Sequence, residues 1–358
     1  MYLKNNAEFL FLYQAINTNP NGDPDQENKP RMDYTTNTAL VSDARRKRDC
    51  RDYFKNNGYK IFVDTLDAKK VPMDKMFKAI IAEYLNDETR FNIILDKNSE
   101  LQAIWTSFKE KIKSQNGLDL YYELNKKKKE MKMNDQFTRF NNLLITEIIK
   151  SDLIDIRLFG SAMAVEDVTM TYTGPVQLTW GYSLHPVDLV KSNTITSIMN
   201  DDSSTFGKKY KLHYALMCHY GTINKFAAQK TGMTQQDKDS FRKALVQGMM
   251  NNQTDSKQGQ IPFIYIEVEY NEDFDGYLGD LRRFIKVKNM KESIRSMNDI
   301  SIDFSDLIKV INDMKNISGK SYIKNIYHWI HPGEKTQWNH LLDGLDSQFI
   351  DLLAPLKK

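Results

Sequence analysis

Short apolar runs alternate with long polar or helix-prone stretches along this chain. Residues 8–16 are rich in Phe, Leu, Tyr and Ile and end at Asn and Pro, so they predict a buried strand. Similar short runs predict strands at 59–64, 153–157 and 261–270. Residues 171–184 form a longer run, whose Gly-Pro pair predicts a bulged or edge strand.

A long polar loop separates the first strand from a basic helix. Residues 17–40 begin almost entirely with turn-forming Asn, Pro, Gly and Asp, and loops of this length are often functional. Thr38 or Ser42 can cap the helix, which is predicted to reach about Lys55 and to end at Gly58. Backbone N–H groups and the dipole at a helix start favour an anion. The loop and helix together therefore indicate a grip on a phosphate backbone.

The helix has more basic residues than its nearby acidic residues can neutralise in the predicted ion pairs. Arg45 with Asp49, and Arg48 with Asp52, are spaced as exposed i,i+4 ion pairs. Three further basic residues are predicted to lack local acidic partners: Arg46, Lys47 and Arg51. Either they pack their stems on the core and extend their charges into water, or they contact a bound phosphate chain.

Two internal segments have features of ligand contact. Residues 72–150 are helix-prone and Lys-rich, and the four lysines at 126–129 form either a solvated helix face or a nucleic-acid contact. Small residues at 160–162 allow the backbone to approach a ligand closely, with Phe159 or Met163 supporting a base. The alternative for this second segment is a plain strand and turn with two core side chains.

Residues 185–213 have the pattern of a hairpin arm. Residues 201–204 (Asp-Asp-Ser-Ser) are a turn signal between two extended halves. Basic and aromatic side chains alternate in the second half, which suits cations on phosphates and rings on bases. The basic members of that half are Lys208, Lys209, Lys211 and His213. An exposed, charged hairpin without a ligand would show the same pattern.

Residues 234–250 predict an amphipathic helix that is opened by Thr and acidic residues. Without the helical stretch and the arm, the predicted elements follow the order β-α-β-β-α-β. This is the order of ferredoxin-like folds, which RNA-recognition modules share. We therefore predict an α+β protein with a modified ferredoxin-like core, a helical insertion and a hairpin arm. Residues 271–358 mix basic and aromatic segments and are predicted to form a helical extension that packs on the core.

Composition limits the class of protein. At 358 residues the chain can form one elaborated domain or two, and its net charge of +3 requires any basic surface to come from local clustering. Cys50 and Cys218 lie far apart, which argues against structural zinc and disulfides and suits the cytoplasm. No run approaches the roughly 20 apolar residues of a membrane span, and we expect no secretory signal.

Recognisable catalytic motifs are missing from the sequence. His328 and His331 share an i,i+3 spacing, but no cysteine lies near them and a metal site is not predicted. The loop carboxylates Asp23, Asp25 and Asp33 are one arrangement that can do chemistry, by binding a divalent metal or by positioning a 2′-hydroxyl. We favour the alternative that they shape turns through Asx-type hydrogen bonds.

Five segments of the chain resemble those of CRISPR-associated Cascade backbone subunits. They read N-P-N-G-D-P-D-x-x-N-x-P-R, L-V-S-D-A-R-R-K-R-x-x-R-D-Y, D-I-R-L-F-G-S-A-M, T-G-P-V-Q-L and F-G-K-K-Y-K-L-H-Y-A-L-x-x-H-Y-G-T-I-N. The similarity extends from about residue 8 to residue 270. It is closest to the type I-B form, with type I-C next.

The resemblance implies a repeat-associated RNA-binding (RAMP) protein with a modified RNA-recognition fold. Several copies would stack along one CRISPR RNA, each gripping the RNA backbone in a palm and pressing a hairpin thumb over it. Bases would be flipped out at regular intervals, and the exposed segments would pair with the target DNA strand. Other Cascade subunits would be partners, and a recruited nuclease-helicase would perform cleavage.

Carried onto this chain, the resemblance assigns regions and RNA-binding residues. The palm would comprise 1–71 and 151–270, the thumb 185–213, the helical fingers 72–150, and the extension 271–358. Positions in the loop, helix and other matching segments complete the RNA-binding set: Asn19, Asn21, Ser42, Arg45, Arg46, Lys47, Arg51, Phe159, Gly160, Ser161, Met163 and Gln177, with the arm residues above.

Three functions remain open from the sequence. The first is a non-catalytic, cytoplasmic RNA-binding scaffold for antiviral defence, without metal or cofactor. The second is a metal-dependent ribonuclease, because type III relatives of this fold use a loop aspartate and Asp23, Asp25 and Asp33 lie in the corresponding region. The third is a reader of cellular messages, which would need aromatic strand motifs that this chain lacks.

Overall fold

The computed structural model describes residues 2–66, 69–70, 72–114, 116–165, 168–196 and 206–356. The protein is a mixed α+β protein, as predicted. The chain divides into two compact units. The first, the helical unit, comprises Met1–Leu3, Phe54–Pro175 and Phe226–Lys238. The second, the sheet unit, comprises Lys4–Tyr53, Val176–Lys225 and Asp239–Lys358.

The α-helices are numbered along the chain. They are α1 (Asp43–Asn56), α2 (Met73–Asn86), α3 (Glu88–Asp96), α4 (Ser99–Lys111), α5 (Gly117–Lys127), α6 (Asn134–Ser151), α7 (Ile154–Phe159), α8 (Lys225–Thr231), α9 (Gln235–Asn251), α10 (Ser305–Met314) and α11 (Lys335–Trp338). None of these helices, as far as the structure describes the chain, is both long and apolar enough to cross a membrane.

The strands of the first half of the chain include several short pairs. They are β1 (Ala7–Thr18), β2 (Gly22–Asp23), β3 (Lys29–Pro30), β4 (Met32–Asp33), β5 (Thr38–Val41), β6 (Thr65–Leu66), β7 (Lys69–Lys70), β8 (Gly160–Val165), β9 (Val168–Thr173), β10 (Val176–Leu178) and β11 (Gly181–Ser183). The later strands are β12 (Thr194–Thr196), β13 (Phe206–Lys208), β14 (Leu212–Ile223), β15 (Gln260–Tyr270), β16 (Lys286–Lys288), β17 (Ser301–Asp303), β18 (Ile323–Ile330) and β19 (Gln348–Phe349).

A large mixed sheet organises the sheet unit. Its strand order is β19-β18-β15-β1-β14-β11-β5-β4, and β10 pairs with the end of β14. The first strand, β1, lies between β14 and β15 and is antiparallel to both. Its residues are buried almost throughout because both faces and both edges are covered. The apolar run at 8–16 therefore forms the buried strand that the sequence predicts.

The middle strands of this sheet come from different residues than the sequence predicts. Residues 59–64 contribute an isolated bridge between Lys60 and Leu153, and 153–157 lie mostly in helix α7. All six residues of α7 are buried, so this segment has no apolar periodicity that could distinguish a helix from a strand. The strands paired beside β1 are instead β14 and, beyond it, β11.

The run at 171–184 is also divided. It contributes to β9, β10 and β11, with Gly174 and Pro175 between the first two. A Cβ on Gly174 would lie 2.1 Å from the backbone of Phe159, so a side chain does not fit there. The close approach of two backbone segments explains the break in the strand.

Amphipathic helices build the core of the helical unit. Helices α2 to α6 bury their apolar faces in one cluster, in which the rings of Trp105 and Phe140 stack at 5.3 Å. Asn98 and Asn116 cap α4 and α5, since each side chain accepts a backbone N–H of the first turn. The predicted helical character of 72–150 thus has local signals in the sequence.

The C-terminal extension is mixed rather than helical. It contains α10 and α11, but β18 and β19 add two strands to the large sheet beside β15. Strand β18 buries its apolar residues Ile323, Ile326, Trp329 and Ile330. The apolar residues of α10 pack into the same core, where Leu307 and Ile311 are buried. This segment therefore completes the sheet unit instead of forming a separate helical layer.

Candidate nucleic-acid interface

The polar loop and helix α1 meet at Ser42, the residue before the helix. Its Oγ accepts the Arg45 backbone N–H at 3.3 Å and so caps α1. The loop residue Asn21 accepts hydrogen bonds from the Ser42 backbone N–H (2.9 Å) and Oγ (3.0 Å) through its Oδ1. The structure therefore brings three predicted RNA-binding residues together at the start of the helix.

Arg45 and Arg46 share a carboxylate one turn further along α1. Arg45 pairs with Asp49, and Arg46 Nη2 lies 3.0 Å from Asp49 Oδ2. The predicted pair Arg45–Asp49 is confirmed, but it is not on the solvent side, because the Asp49 side chain is only 3% exposed. The predicted pair Arg48–Asp52 is also present and is partly exposed.

Arg46 is buried and paired, which corrects the sequence analysis. Its side chain is 1% exposed, donates to Gln260 Oε1 at 3.2 Å, and lies over the Tyr13 ring at 5.1 Å. Lys47 Nζ lies 2.8 Å from Asp43 Oδ2. The prediction that these two residues lack local acidic partners is wrong, because i,i+3 and i,i+4 spacings place the acids on the same helix face. Arg51 is half-buried on this helix.

Lys257, which the sequence analysis missed, joins the two arginines. Its Nζ donates to the backbone oxygen of Asn19 at 2.6 Å. Burial, followed by the charges of Arg45 and Arg46, lowers the pKa of Lys257 to about 8. The residue lies in a polar turn before β15 that has no distinguishing motif. We call Arg45, Arg46 and Lys257, with the carboxylate of Asp49, the cationic cluster.

Several donors of the cationic cluster are buried without a hydrogen bond. Within the described residues these are Arg45 Nε and both Nε and Nη1 of Arg46. A buried donor without a partner is costly, and a guanidinium group suits a phosphate oxygen. Three positive charges around one carboxylate, beside a helix start, therefore define a site suited to an anion.

The base of the hairpin arm forms a second basic surface. Lys209 Nζ lies 2.8 Å from Asp255 Oδ2, the Tyr210 hydroxyl donates to Glu27 at 2.6 Å, and Lys29 lies over the Tyr210 ring. A cavity of about 310 Å³ collects the predicted residues of this region: Asn19, Lys208, Lys209 and Lys211. The hydrogen bond from Tyr210, together with Lys29 and Lys208, lowers the pKa of Glu27.

His213 belongs to a different cavity. It lines a groove of about 930 Å³ with Met32, Tyr34 and Ile294. The arm itself is a pair of antiparallel strands, β12 and β13. The predicted turn at 201–204 lies outside the described residues. Gln177 is exposed on β10, where it pairs with Thr222.

The remaining predicted residues belong to the helical unit. Phe159 is 7% exposed, so its ring packs inside this unit and offers little surface to a base. Gly160 has a φ of +71° and begins β8. Ser161 pairs with Tyr172, and Met163 pairs with Met170, in the β8–β9 hairpin.

The acidic residues of the loop shape turns. Asp23 Oδ1 accepts the backbone N–H of Asp25 and an Arg31 Nη2, both at 3.2 Å. Asp33 Oδ1 accepts the Thr35 N–H at 2.9 Å, and this bond is the main cause of the lowered pKa of Asp33. The Asx-type role is confirmed for both residues. No group of three or more candidate ligands suited to a metal occurs in the described part of the chain.

The fold and the site define a class: an α+β protein with cationic surfaces suited to a polyanion. The chain belongs to the family described as CRISPR-associated protein Cas7, whose sequence model matches residues 5–305. The resemblance seen in the sequence is therefore confirmed at the level of the family.

The comparison with individual proteins found one curated relative and chains of solved complexes. The chain is 23% identical over 385 aligned residues to a CRISPR-associated protein Cas7 of Haloferax volcanii, covering 98% of this chain and 97% of that protein. It also matches a chain of a CRISPR RNA-guided surveillance complex in a pre-nicking state, at 13% identity, a TM-score of 0.47 and coverage of 90% and 92%. A chain of another such complex matches at 12% identity, a TM-score of 0.48 and coverage of 97% and 96%.

Proposed function

We propose that this protein is a non-catalytic backbone subunit of a type I Cascade complex that binds CRISPR RNA for antiviral defence. Several copies assemble along one guide RNA, kink it and present it for pairing with the target DNA strand. Its partners are the guide RNA, the paired DNA strand, further copies of itself and other Cascade subunits. It acts in the cytoplasm, and the type I-B form, with type I-C next, is the nearest in its motifs.

The cationic cluster is the observation that carries this proposal. Arg45 lies beside the capped start of α1, and Lys257 contacts the polar loop at the backbone oxygen of Asn19. Together they have more positive charge than Asp49 neutralises. A phosphodiester supplies the missing negative charge and hydrogen-bond acceptors. Arg46, which is buried below them, holds Asp49 and Gln260 in place and supports the grip from within.

The order of the strands supports an RNA-recognition core. Strands β15, β1, β14 and β11 are neighbours in that order, α1 follows β1, and α9 lies between β14 and β15 in sequence. We propose that these elements are the ferredoxin-like β-α-β-β-α-β core, with β11 and β14 as its second and third strands. The palm of the backbone subunit would be this core.

The hairpin of β12 and β13 would be the thumb, and helices α2 to α6 the fingers. Lys208, Lys209 and Lys211 would bind phosphates at the thumb base. Phosphate contacts give affinity without sequence preference, so pairing between guide and target would supply the specificity.

The salt dependence of RNA binding tests the grip. Arg45→Gln and Lys257→Met each remove one charge from the cluster, and Arg48→Gln removes one from the same helix at the partly exposed pair with Asp52. For single-stranded RNA, removing one contact to a phosphate should flatten the plot of log affinity against log salt by about 0.7. We expect this flattening for the first two variants, equally for different RNA sequences.

The control Arg48→Gln should keep the wild-type slope. Fluorescence anisotropy with two unrelated single-stranded RNAs at several salt concentrations measures the affinity and its salt slope. Wild-type slopes in both cluster variants would overturn the proposed grip. A loss of affinity confined to one RNA sequence would overturn the claim of sequence-independent binding.

A further inference from the structure

Trp180 is a large aromatic residue that the sheet unit leaves exposed. Its side chain lies between β10 and β11 and is 45% exposed, whereas Trp105, Trp329 and Trp338 are 3%, 1% and 8% exposed. An indole is large and flat, so an exposed one offers an aromatic surface on which a ligand can pack.

The backbone on both sides of Trp180 is fixed. Arg282 Nη1 donates to the Trp180 backbone oxygen at 2.7 Å, and the Thr179 N–H donates to Tyr220 O at 2.9 Å. Gly181 follows in β11, where a Cβ would lie 2.5 Å from the His219 ring. The indole is therefore presented by a rigid segment and does not belong to a loose loop.

The guanidinium of Arg31 lies against the indole. Its guanidinium carbon lies 5.1 Å from the centre of the ring, within the range of a cation–π contact. The arginine is anchored by Asp23 at 3.2 Å and by a backbone hydrogen bond to Asn21 O at 2.8 Å. This arrangement places a positive charge beside an open aromatic surface, which is typical of sites for single-stranded nucleic acid.

A series of contacts links Gly181, the residue after Trp180, to the cationic cluster. Gly181 pairs with Val41, the residue before Ser42, so the indole stands at the strand end next to the start of α1. Gly181 also packs on the His219 ring, and His219 stacks on Tyr13 at 6.0 Å. The guanidinium of Arg46 lies over the same Tyr13 ring. An RNA whose phosphates bind the cluster would therefore pass close to the strand end that carries Trp180.

We propose that Trp180 is a stacking platform for one nucleobase of the bound RNA, with Arg31 as the cation that backs the ring. This inference rests on the proposed function. Every base has a π-face, so the platform accepts any of the four bases and fits a guide of arbitrary sequence. The guanidinium of Arg31 over the indole favours a polyanion over an apolar protein partner.

Intrinsic fluorescence tests this platform, because the other three indoles are buried. The probe is a single-stranded oligouridine, and a strand of the same length with abasic sites supplies the phosphates without bases. We expect oligouridine to quench the emission of Trp180 as it binds, and the abasic strand to bind more weakly with little quenching. Trp180→Phe should lose the quenching, which assigns the signal to this residue.

Affinity of the variants gives a second readout. Trp180→Ala should weaken oligouridine binding about tenfold, and Trp180→Phe should recover most of that loss since a phenyl ring also stacks. Phe349→Ala is the matched control: this ring is 52% exposed, lies under Lys335, and belongs to β19 at one edge of the sheet. It should leave affinity and quenching unchanged. Circular dichroism checks that each variant folds.

The outcomes separate the platform from the grip. Wild-type oligouridine affinity in folded Trp180→Ala, with the salt dependence of binding intact, would overturn the platform and leave the proposed function standing. If Trp180→Ala instead lowers the mass of the assembled complex at unchanged RNA affinity, the indole is an interface between proteins and the inference is wrong. Absence of RNA binding by the wild-type protein would reject both.

Discussion

Arg45, Arg46 and Lys257 hold three positive charges around the carboxylate of Asp49. Such a cluster raises the energy of the free protein, because like charges are partly removed from water and one carboxylate cannot neutralise them. Binding a phosphate relieves this repulsion and provides acceptors for buried N–H groups. Under the proposed function, the cluster is thus arranged for a phosphate at some cost to the unbound protein.

The lowered pKa of Lys257 predicts a pH-dependent affinity for RNA. A bound phosphate raises this pKa above the value of about 8 in the free protein. Below pH 8 the amine is charged in both states, so its contribution is fully present. Above pH 8 binding must take up a proton, and affinity should fall by up to about tenfold per pH unit until the pKa of the bound state is passed.

Lys257→Arg provides the control, because arginine stays charged throughout this range. The charged groups that face Lys257 are Arg45, Arg46 and Asp49, and the wild type and the variant both keep all three. Anisotropy titrations between pH 7 and 9.5 should show the decline in wild type and a flat profile in the variant. Equal profiles would contradict the role given to Lys257.

Some residues of the site follow from the sequence and others do not. Ser42 and Arg45 belong to a capping position and a basic helix start, both of which are local signals. Lys257 and Trp180 have no such signal, since the roles proposed for them depend on strands that bring distant segments together. Arg46 shows the opposite error. The sequence predicts a basic residue without an acidic partner, but in the structure Arg46 is buried beside Tyr13 and paired with Asp49.

At the scale of elements, the strands at 8–16 and 261–270 were predicted correctly, and those at 59–64 and 153–157 were not. Strands β1 and β15 are strongly apolar and correspond to the predicted 8–16 and 261–270. Helix α7 was predicted as a strand, because a short and wholly buried run has no periodicity. Its conformation depends on tertiary contacts, including the ion pair between Arg157 and Asp237 at 2.7 Å.

The turn from α7 into β8 requires glycine at position 160. Its φ is +71°, and a Cβ there would lie 2.1 Å from Tyr172 O and 2.3 Å from Gly174 N. Gly160→Ala should therefore lower the free energy of unfolding by about 2 kcal/mol or more, from left-handed strain and backbone overlap together. Urea denaturation followed by circular dichroism measures the change.

Gly319→Ala is the matched control for this prediction. Gly319 has a similar φ of +81°, but no atom lies within 4 Å of its added Cβ. It should lose only the strain component, about 1 kcal/mol. Equal losses of stability in the two variants would show that the close packing at Gly160 contributes nothing.

At the scale of the whole molecule, the basic character is local and the net charge is small. A net charge of +3 does not indicate nucleic acid, and the cationic surfaces emerge only from the folding of the loop, α1, the arm and the turn at Lys257. The α+β class was predictable from the order of apolar runs. The two strands beyond β15 in the large sheet, β18 and β19, were not predictable, because the segment before them has no clear periodicity.

Whether RNA co-purifies with the protein tests the central claim most directly. We would purify the protein alone and with its neighbouring gene products at low salt, and then extract, size and sequence the bound RNA. The account predicts a discrete RNA containing CRISPR repeat and spacer sequence, bound by several copies of the protein in the co-expressed sample. Absence of RNA from both samples would contradict the account.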